Sequence, residues 1–283
     1  MIISGKQLAA EIKETISRKV ASYKVEYGRE PHLSVILVGD DPSSRQYVRS
    51  KGRYAGEVGF SHETINLPEE TTEEELIEKI HALNSDKGVD GILVQLPLPK
   101  HIRKHKVIEE IDPDKDVDGF QSKNVDALWH KLPGTRACTP KGIIKLLDKA
   151  GVEIAGKHAV VIGRSNIVGF PVAKLLLDRN ATVTVAHRHT EDLASITRQA
   201  DILVVAIGQP RLITGDMVKE GVAVIDVGIT RDPESGSFFG DVDFESVEPK
   251  ASVITPVPGG VGPMTIACLM ENTLEAYVRH MER

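Results

Sequence analysis

The sequence is poor in aromatic residues and in cysteine. Aromatic residues make up 4% of its 283 positions, and Cys138 and Cys268 are its two cysteines. Two cysteines cannot form a disulfide framework, and the residues around them lack the spacing of metal ligands. No apolar run approaches the roughly 20 residues that cross a bilayer. The sequence therefore excludes a disulfide scaffold, a cysteine-based metal site and a membrane-spanning protein.

An excess of positive charge is also missing. The 35 Lys and Arg residues stand against 41 Asp and Glu, which gives a formal net charge of -6. A mildly acidic chain without a basic block argues against broad binding to nucleic acid or to an anionic membrane, although it is compatible with a local basic pocket. Residues 1–20 mix charge throughout, which is typical of an amphipathic helix and not of a signal peptide. We therefore expect a cytoplasmic protein.

What the sequence does contain is a regular alternation of short apolar runs and helical segments. At about 150 residues per domain, its length predicts two domains. The apolar runs are typical of buried strands, and they are separated by segments with helical spacing. The predicted strands are residues 32–38, 62–67, 91–96, 157–162, 182–186, 201–207 and 222–227. This pattern predicts an α/β protein with parallel sheets covered by helices.

A polar break over residues 112–124 ends the first series of strands and helices, and it is the predicted domain boundary. We assign residues 1–120 to a first α/β domain and residues 121–263 to a second. The second is expected to be a Rossmann-like, doubly wound parallel sheet. A last helix is predicted after it, over residues 264–283.

Residues 158–177 combine a strand, a glycine turn and a helix, the setting in which a dinucleotide pyrophosphate binds at a helix N-terminus. The match to G-x-G-x-x-G is imperfect, because Ser165 and Val168 stand where the motif has its second and third glycines. Gly163 takes the first place, and Gly169 comes one residue late. A tight turn without a ligand is the alternative. The strand before the turn and the helix after it favour dinucleotide binding.

The segment after the next strand bears on which dinucleotide is bound. About 20 residues past the turn, NAD-binding folds present an acid to the ribose 2′-hydroxyl, whereas NADP-binding folds present a cation. Here that strand ends in His187-Arg188-His189. Arg188, with Arg164 in the turn, could meet a 2′-phosphate. This favours NADP, and a solvated basic loop is the alternative.

Tyr47 and Lys51 lie four residues apart on a predicted helix, so their side chains share one face. That helix follows the first strand at its carboxyl end, where open α/β sheets bind their ligands. Gln95 stands near the carboxyl end of another strand, where its amide could reach the same place. The pattern is compatible with a lysine that transfers protons, whereas an exposed lysine on a surface helix is what most such lysines are. A short-chain dehydrogenase is a poor match. In that family the Tyr-x-x-x-Lys pair follows the glycine turn, whereas here it precedes the turn by more than a hundred residues.

Acidic residues alternate at positions 112, 114, 116 and 118, ahead of Gly119. A calcium loop is excluded, because Val125 stands at position twelve, counted from Asp114, where the bidentate glutamate is required. We expect a solvated acidic linker in which Asp118 is the member that faces a ligand. The Pro- and Gly-rich loop over residues 256–263 is compatible both with a helix entry and with backbone that approaches a flat ligand closely. No metal is expected.

Six segments together resemble the bifunctional methylenetetrahydrofolate dehydrogenase/methenyltetrahydrofolate cyclohydrolase family. They are SSRQYVRSKGRYAGEVGF, GILVQLPLP, DPDKDVDGF, ACTPKGI, VVIGRSNIVGFPVA and TPVPGGVGPMT, in the family's order and at its spacing along essentially the whole chain. The resemblance implies two α/β domains that flank a cleft, with the last helix returning to the first domain. It also implies a homodimer formed through the NADP-binding domain and a small-molecule folate substrate.

By motif position, the resemblance also implies the roles of individual residues. Lys51 corresponds to the catalytic lysine, Tyr47 to the aromatic residue that stacks on the folate, and Gln95 to the amide partner of the lysine. Asp118 corresponds to the acid that holds the pterin ring. Gly163, Arg164 and Ser165 correspond to the NADP-binding turn. Ile229 corresponds to the position whose backbone meets the nicotinamide side, and Pro258 and Gly259 correspond to the loop that lines the folate pocket.

The sequence departs from the family pattern in two places. Residues 54–56 read Tyr-Ala-Gly where Ala-Cys-Glu is common, which is expected to alter packing behind the catalytic helix. At Arg188 many relatives carry Ser and others Arg, so the contacts to the 2′-phosphate stay open.

The function implied is NADP-dependent oxidation of 5,10-methylenetetrahydrofolate to the 5,10-methenyl form, followed by hydrolysis to 10-formyltetrahydrofolate. One alternative is a monofunctional NAD(P)-dependent methylenetetrahydrofolate dehydrogenase, against which the presence of both Lys51 and Gln95 argues. Another is a non-catalytic NADP- or folate-binding protein, which would have little need for Tyr47, Lys51, Gln95 and Asp118 together.

Overall fold

The computed structural model describes residues 1–232 and 236–283. These residues form two compact units, each built around its own sheet. The three-stranded unit comprises Glu11–Cys138 and Ile266–Arg283, and the five-stranded unit comprises Met1–Ala10 and Thr139–Thr265. Among the described helices, none combines the length and the apolar character that a membrane crossing requires.

The three-stranded unit is a parallel sheet with helices between its strands. From the first residue up to Cys138, where the next helix begins, the elements of the chain are α1 (Gly5–Tyr27), β1 (His32–Val38), α2 (Pro42–Glu57), β2 (Ser61–Leu67), α3 (Glu73–Ser85), β3 (Gly91–Val94), α4 (Lys104–Glu109) and α5 (Ser122–Trp129). The strand order is β2-β1-β3, and both pairings are parallel. Because β1 is central, six of its seven residues are buried. The carboxyl ends of the three strands therefore form one edge, from which α2 departs.

The five-stranded unit is also a parallel sheet, with a short antiparallel pair beside it. Its elements, some continuing into the other unit, are α6 (Cys138–Lys149), β4 (His158–Ile162), α7 (Gly169–Asp178), β5 (Thr182–Ala186), α8 (Leu193–Thr197), β6 (Ile202–Val205), a 3-10 turn (Gly215–Met217), β7 (Ala223–Asp226), β8 (Thr230–Arg231), β9 (Phe238–Phe239), α9 (Phe244–Val247), β10 (Val253–Ile254) and α10 (Val261–Met281). The strand order is β10-β7-β6-β4-β5. From β4 the chain first adds β5 on one side and then crosses back to add β6 on the other side of β4. A topological switch point therefore lies between β4 and β6.

The predicted α/β class with parallel sheets is confirmed. Each of the seven predicted strands has its counterpart, β1 to β7, within a few residues at the ends. The sequence prediction lacks α5 and the short elements β8, β9, α9 and β10. The strands among these elements have two residues and the helices four and eight, too few to show a clear hydrophobic period, so they are set by contacts with other parts of the chain.

The three-stranded unit extends past residue 120, where the sequence predicts a domain boundary. The three-stranded unit continues to Cys138 because Asn272 on α10 donates hydrogen bonds to the carbonyls of Val117 and Arg136, both at 2.9 Å. At the other end of the chain, the first residues extend the edge of the five-stranded sheet. There the backbone N–H of Ile3 donates to the Ile254 carbonyl at 2.9 Å. These pairings join residues more than 130 positions apart, so no local pattern predicts them.

Candidate active site

Helix α2 places two of the predicted site residues at the carboxyl edge of the three-stranded sheet. The helix begins directly after β1, where the Asp41 carboxylate accepts the backbone N–H of Ser44 at 2.7 Å and Pro42 occupies the first turn. Both features are strong helix-start signals. The Tyr47 side chain is 45% exposed, and Lys51, one turn later, is half-buried. Tyr47 is therefore free to meet a ligand, while Lys51 faces the protein.

Lys51 and Gln95 are in direct contact, as the sequence predicts. The Lys51 Nζ donates to the Gln95 Oε1 at 2.9 Å. The amide is oriented by a second bond, because its Nε2 donates to the Leu96 carbonyl at 2.7 Å. The backbone N–H of Gln95 donates to the Ile36 carbonyl of β1 at 2.8 Å, which fixes its position at the sheet edge. The lysine is thus held by a neutral acceptor and not by a carboxylate.

Asp118 lies close enough to Lys51 for the two charges to interact. Burial raises the pKa of the Asp118 carboxyl to about 6, the positive charge of Lys51 opposes this rise, and the negative charge of Asp116 adds to it. The Cys138 thiol donates to the Val117 carbonyl at 3.3 Å and lies 4.0 Å from the Asp118 Oδ1. The structure therefore brings a lysine, an amide and a half-buried carboxyl together on one unit.

The expectation of a solvated acidic linker is wrong for Asp116. This residue is 1% exposed. Its Oδ1 accepts the backbone N–H of Gly119 at 3.0 Å, and its Oδ2 accepts the N–H of Gln121 and the side-chain amide of Asn124, both at 2.9 Å. These bonds shape the loop that carries Asp118. No local pattern separates Asp116 from its acidic neighbours, because its partners follow it at irregular spacing.

The glycine turn of the five-stranded unit follows β4 at the switch point. Gly163 has a φ of +121°, and a Cβ on it would lie 2.2 Å from the Ala206 carbonyl oxygen. A Cβ on Gly169 would lie 2.1 Å from the Gly163 carbonyl oxygen. Both positions therefore need glycine, the first for its backbone angle and both for close packing. The Ser165 hydroxyl accepts the backbone N–H of Val168 at 3.1 Å and that of Gly169 at 3.3 Å, so it helps to begin α7.

The loop with Arg188 reaches the same edge of the sheet as the turn. Strands β4 and β5 are paired so that Ile162 faces Ala186, and Gly163 donates its N–H to the Ala186 carbonyl at 2.9 Å. The side chains of Arg164 and Arg188 are both exposed. Close-packed glycine backbone and two exposed cations at one edge suit a ligand that carries phosphates. These residues fit NADP, which has a phosphate on its ribose besides the pyrophosphate.

Three further predicted residues lie in loops of the five-stranded unit. Ile229 follows β7, and its side chain is 48% exposed. Pro258 is exposed, and the Gly259 carbonyl accepts the backbone N–H of Lys6 at 2.9 Å. This bond fixes the Pro- and Gly-rich loop against the start of α1, just before α10 begins.

Two buried carboxylates in the same unit were not predicted from the sequence. They are Asp226 at the end of β7 and Asp241 after β9. An acid at the end of the apolar run VAVID is a signal that could have identified the first. Asp241 has no comparable local signal.

A parallel, doubly wound sheet with a close-packed glycine turn at its switch point defines a dinucleotide-binding class of protein. The comparisons with known proteins narrow this class. The family model of the tetrahydrofolate dehydrogenase/cyclohydrolase catalytic domain matches residues 3–118, and that of the NAD(P)-binding domain matches residues 137–281. The chain belongs to the tetrahydrofolate dehydrogenase/cyclohydrolase family, which confirms the resemblance drawn from its six segments.

Individual relatives agree along the whole chain. The bifunctional protein FolD of Halothermothrix orenii is 57% identical, covering 99% of this chain and 98% of the relative. The crystal structure of the bifunctional FolD methylenetetrahydrofolate dehydrogenase/cyclohydrolase from Campylobacter jejuni is 51% identical, with a TM-score of 0.97 and 99% coverage of both chains. The Trypanosoma brucei enzyme, solved with NADP and an inhibitor, is 42% identical with a TM-score of 0.95, covering 99% of this chain and 97% of that one.

Proposed function

We propose that the protein is a bifunctional, NADP-dependent methylenetetrahydrofolate dehydrogenase and methenyltetrahydrofolate cyclohydrolase. It oxidises 5,10-methylenetetrahydrofolate to the methenyl cation and hydrolyses that cation to 10-formyltetrahydrofolate. The observation that carries this proposal is the Lys51–Gln95 hydrogen bond at 2.9 Å, beside the half-buried Asp118. Family membership supplies the substrate class for this chemistry. We infer that the three-stranded unit binds the folate and the five-stranded unit binds NADP.

In the dehydrogenase step, the protein mainly aligns the reactants. The backbone of the turn from Gly163 to Ser165 holds the pyrophosphate, Arg164 and Arg188 face the 2′-phosphate, and the backbone of Ile229 lies on the nicotinamide side. NADP+ supplies a hydride acceptor when it is bound. The step needs alignment more than acid–base catalysis, because the methylene carbon gives up its hydride without a proton transfer.

In the cyclohydrolase step, the protein moves protons. Water attacks the methenyl carbon and gives a proton to Lys51. The bond from that carbon to one ring nitrogen then breaks as the nitrogen takes up a proton, and the new hydroxyl loses its proton to become the formyl carbonyl, so that one proton is released overall. Gln95 holds the lysine in place through an acceptor that carries no charge. The cationic substrate disfavours a second positive charge beside it, so it favours the neutral amine that can accept the proton.

The remaining site residues bind the folate. Tyr47 presents an exposed ring on which the substrate stacks. Asp118 accepts hydrogen bonds from the pterin ring, and with a pKa of about 6 its carboxyl is ionised at neutral pH. The family resemblance also assigns the loop with Pro258 and Gly259, in the five-stranded unit, to folate binding.

A spectrophotometric assay with methylenetetrahydrofolate tests the proposal, with NADP+ and NAD+ supplied separately. We expect NADP+ to be reduced, NAD+ to be a poorer substrate, and the methenyl absorbance to decay as the 10-formyl product forms. Accumulation of the methenyl form would identify a monofunctional dehydrogenase. Binding of NADP and folate without turnover would identify a non-catalytic binding protein.

We also propose a cytoplasmic homodimer formed through the five-stranded unit, as the family resemblance implies. Light scattering coupled to gel filtration would give twice the chain mass. A monomer that retains both activities would contradict the homodimer.

A further inference from the structure

Asp226 and Asp241 take no part in the mechanism above, yet both are buried beside the loops of the five-stranded unit that face the proposed NADP site. Asp226 is 4% exposed and Asp241 is fully buried. Strands β6 and β7 are neighbours, and the loops after them leave from the carboxyl edge of a parallel sheet, where such sheets bind their ligands. The two carboxylates connect these loops to each other.

Asp226 fixes the loop after β7. Its Oδ1 accepts the backbone N–H of Gly228 at 2.9 Å and that of Asp241 at 3.0 Å, and its Oδ2 accepts the N–H of Val242 at 3.0 Å. A Cβ on Gly240 would lie 1.8 Å from the same Oδ2, so the segment after β9 lies directly against the carboxylate. The backbone ahead of Ile229 is therefore held against this segment.

Asp241 extends the connection to the loop after β6. Its Oδ2 accepts the backbone N–H of Ile207 at 2.8 Å and that of Gly208 at 2.9 Å. Its Oδ1 is buried without a hydrogen-bond partner in the described part of the chain. The peptide group between Ala206 and Ile207 is thus held on two sides, by Gly163 against its carbonyl oxygen and by Asp241 at its N–H.

We propose that Asp241 is a positioning residue for the dehydrogenase step. With Asp226 behind it, its carboxylate holds the loops after β6 and β7 against the glycine turn, so that the backbone facing NADP is ordered before the cofactor binds. Preordered backbone lowers the cost of binding and keeps the reacting groups aligned. Burial, with the negative charge of the neighbouring Asp241, raises the pKa of Asp226 to about 7. This inference rests on the proposed function.

The cyclohydrolase step needs no nicotinamide, so it serves as an internal control. We expect Asp241→Ala to raise the KM for NADP+ and to lower the dehydrogenase kcat, together by about tenfold or more, since hydrogen bonds to a charged acceptor are lost. Cyclohydrolase activity, measured directly with methenyltetrahydrofolate, should stay within about twofold of wild type. Asp241→Asn should restore the dehydrogenase, because its amide oxygen can accept both N–H groups.

Asp243→Ala is the matched control. It removes a carboxylate two positions further on, which begins α9 without a side-chain capping bond, and it should leave both activities unchanged. Parallel loss of both activities in Asp241→Ala, or an Asp241→Asn variant as defective as Asp241→Ala, would overturn the proposal.

If Asp241→Ala does not fold, Asp241→Ser is measured in its place. Failure of both variants to fold would also overturn the proposal, because Asp241 would then serve the fold as a whole. A wild-type protein without either activity would instead refute the proposed function itself.

Discussion

At the scale of single residues, Lys51 is the side chain on which the proposed hydrolysis depends. Replacing it with Met keeps much of its length and removes both the proton acceptor and the 2.9 Å bond to Gln95. We expect cyclohydrolase activity to fall by about 100- to 10,000-fold, the usual contribution of general acid–base catalysis. The dehydrogenase step should continue, so the methenyl form should accumulate in the spectrophotometric assay.

Lys87→Met is the matched control for this variant, because Lys87 is an exposed lysine of the same unit. The Lys87→Met enzyme should keep both the dehydrogenase and the cyclohydrolase activity unchanged. Full cyclohydrolase activity in Lys51→Met would show that another group moves the proton.

Arg188 decides the preference for NADP over NAD in our proposal. Replacing Arg188 with Ser should raise the KM for NADP+ by about tenfold or more, as expected for the loss of a charge-assisted hydrogen bond. The KM for NAD+, which has no 2′-phosphate, should change little. Arg198→Ser removes an exposed arginine at the end of α8 and should affect neither constant. Equal changes for both cofactors in Arg188→Ser would refute a contact with the 2′-phosphate.

These residues could be predicted because their chemistry is visible locally. Tyr47 and Lys51 share a helix face, and Gly163 stands between an apolar strand and a helix. Asp116 and Asp241 could not be predicted, because their roles come from backbone N–H groups that a sequence pattern does not show. The two N–H groups that Asp241 accepts lie more than 30 positions away.

At the scale of elements, α2 offers a measurement of how the catalytic helix is stabilised. Two of its glycines differ in the room beside them. A Cβ on Gly56 would lie 3.8 Å from the His62 Cε1, an ordinary contact, whereas a Cβ on Gly52 would lie 3.0 Å from the His62 Nε2. Alanine within a helix is favoured over glycine by about 0.5–1 kcal/mol. We therefore expect Gly56→Ala to raise the free energy of unfolding by about that amount.

Gly52→Ala is the matched comparison in the same helix. Its free energy of unfolding should rise less than that of Gly56→Ala, or fall, because the His62 imidazole must move to make room for the Cβ. Urea unfolding of both variants checks this, and an equal gain in the two would contradict the contacts described.

The same scale shows which elements a sequence can reveal. Strands β1 and β4 are runs of five to seven residues with buried apolar side chains, and both were predicted nearly to their ends. Strand β10 has two residues, and it is defined by its pairing with β7. Helix α5 lies in a polar segment where Asn124 bonds to Asp116 at 2.9 Å, so a tertiary contact supports it and hydrophobic periodicity does not.

At the scale of the whole molecule, the length predicts two domains and the polar break predicts a boundary near residue 120, whereas the three-stranded unit runs on to Cys138. Polar residues usually mark linkers, and here several of them are buried hydrogen-bond partners. Asp116 and Asn124 are 1% and 5% exposed. A polar segment therefore marks a domain boundary only when its side chains are solvated, which composition alone does not reveal.

Buried carboxyl groups also give the whole molecule a pH-dependent stability. Burial raises the pKa of Asp226 to about 7 and that of Asp118 to about 6, whereas an unfolded aspartate titrates near 3.9. Between those values the folded protein holds protons that the unfolded chain has released. The contribution of these two groups to stability should therefore be greatest at the acidic end of this window and fall as the pH rises towards 7, by up to about 1.4 kcal/mol per pH unit for each such proton. Above about pH 7 this contribution is lost and the curve should flatten.

Asp226→Asn isolates the larger of these two contributions. Because the amide does not titrate, the free energy of unfolding of this variant should fall less steeply between about pH 5 and 7 than that of the wild type, whatever its absolute stability. Asp243→Asn, a nearby aspartate outside the buried pair, should keep the wild-type slope. Urea unfolding at several pH values measures all three proteins. Parallel curves for wild type and Asp226→Asn would show that Asp226 is ionised across the window, and that the proton is held elsewhere or not at all.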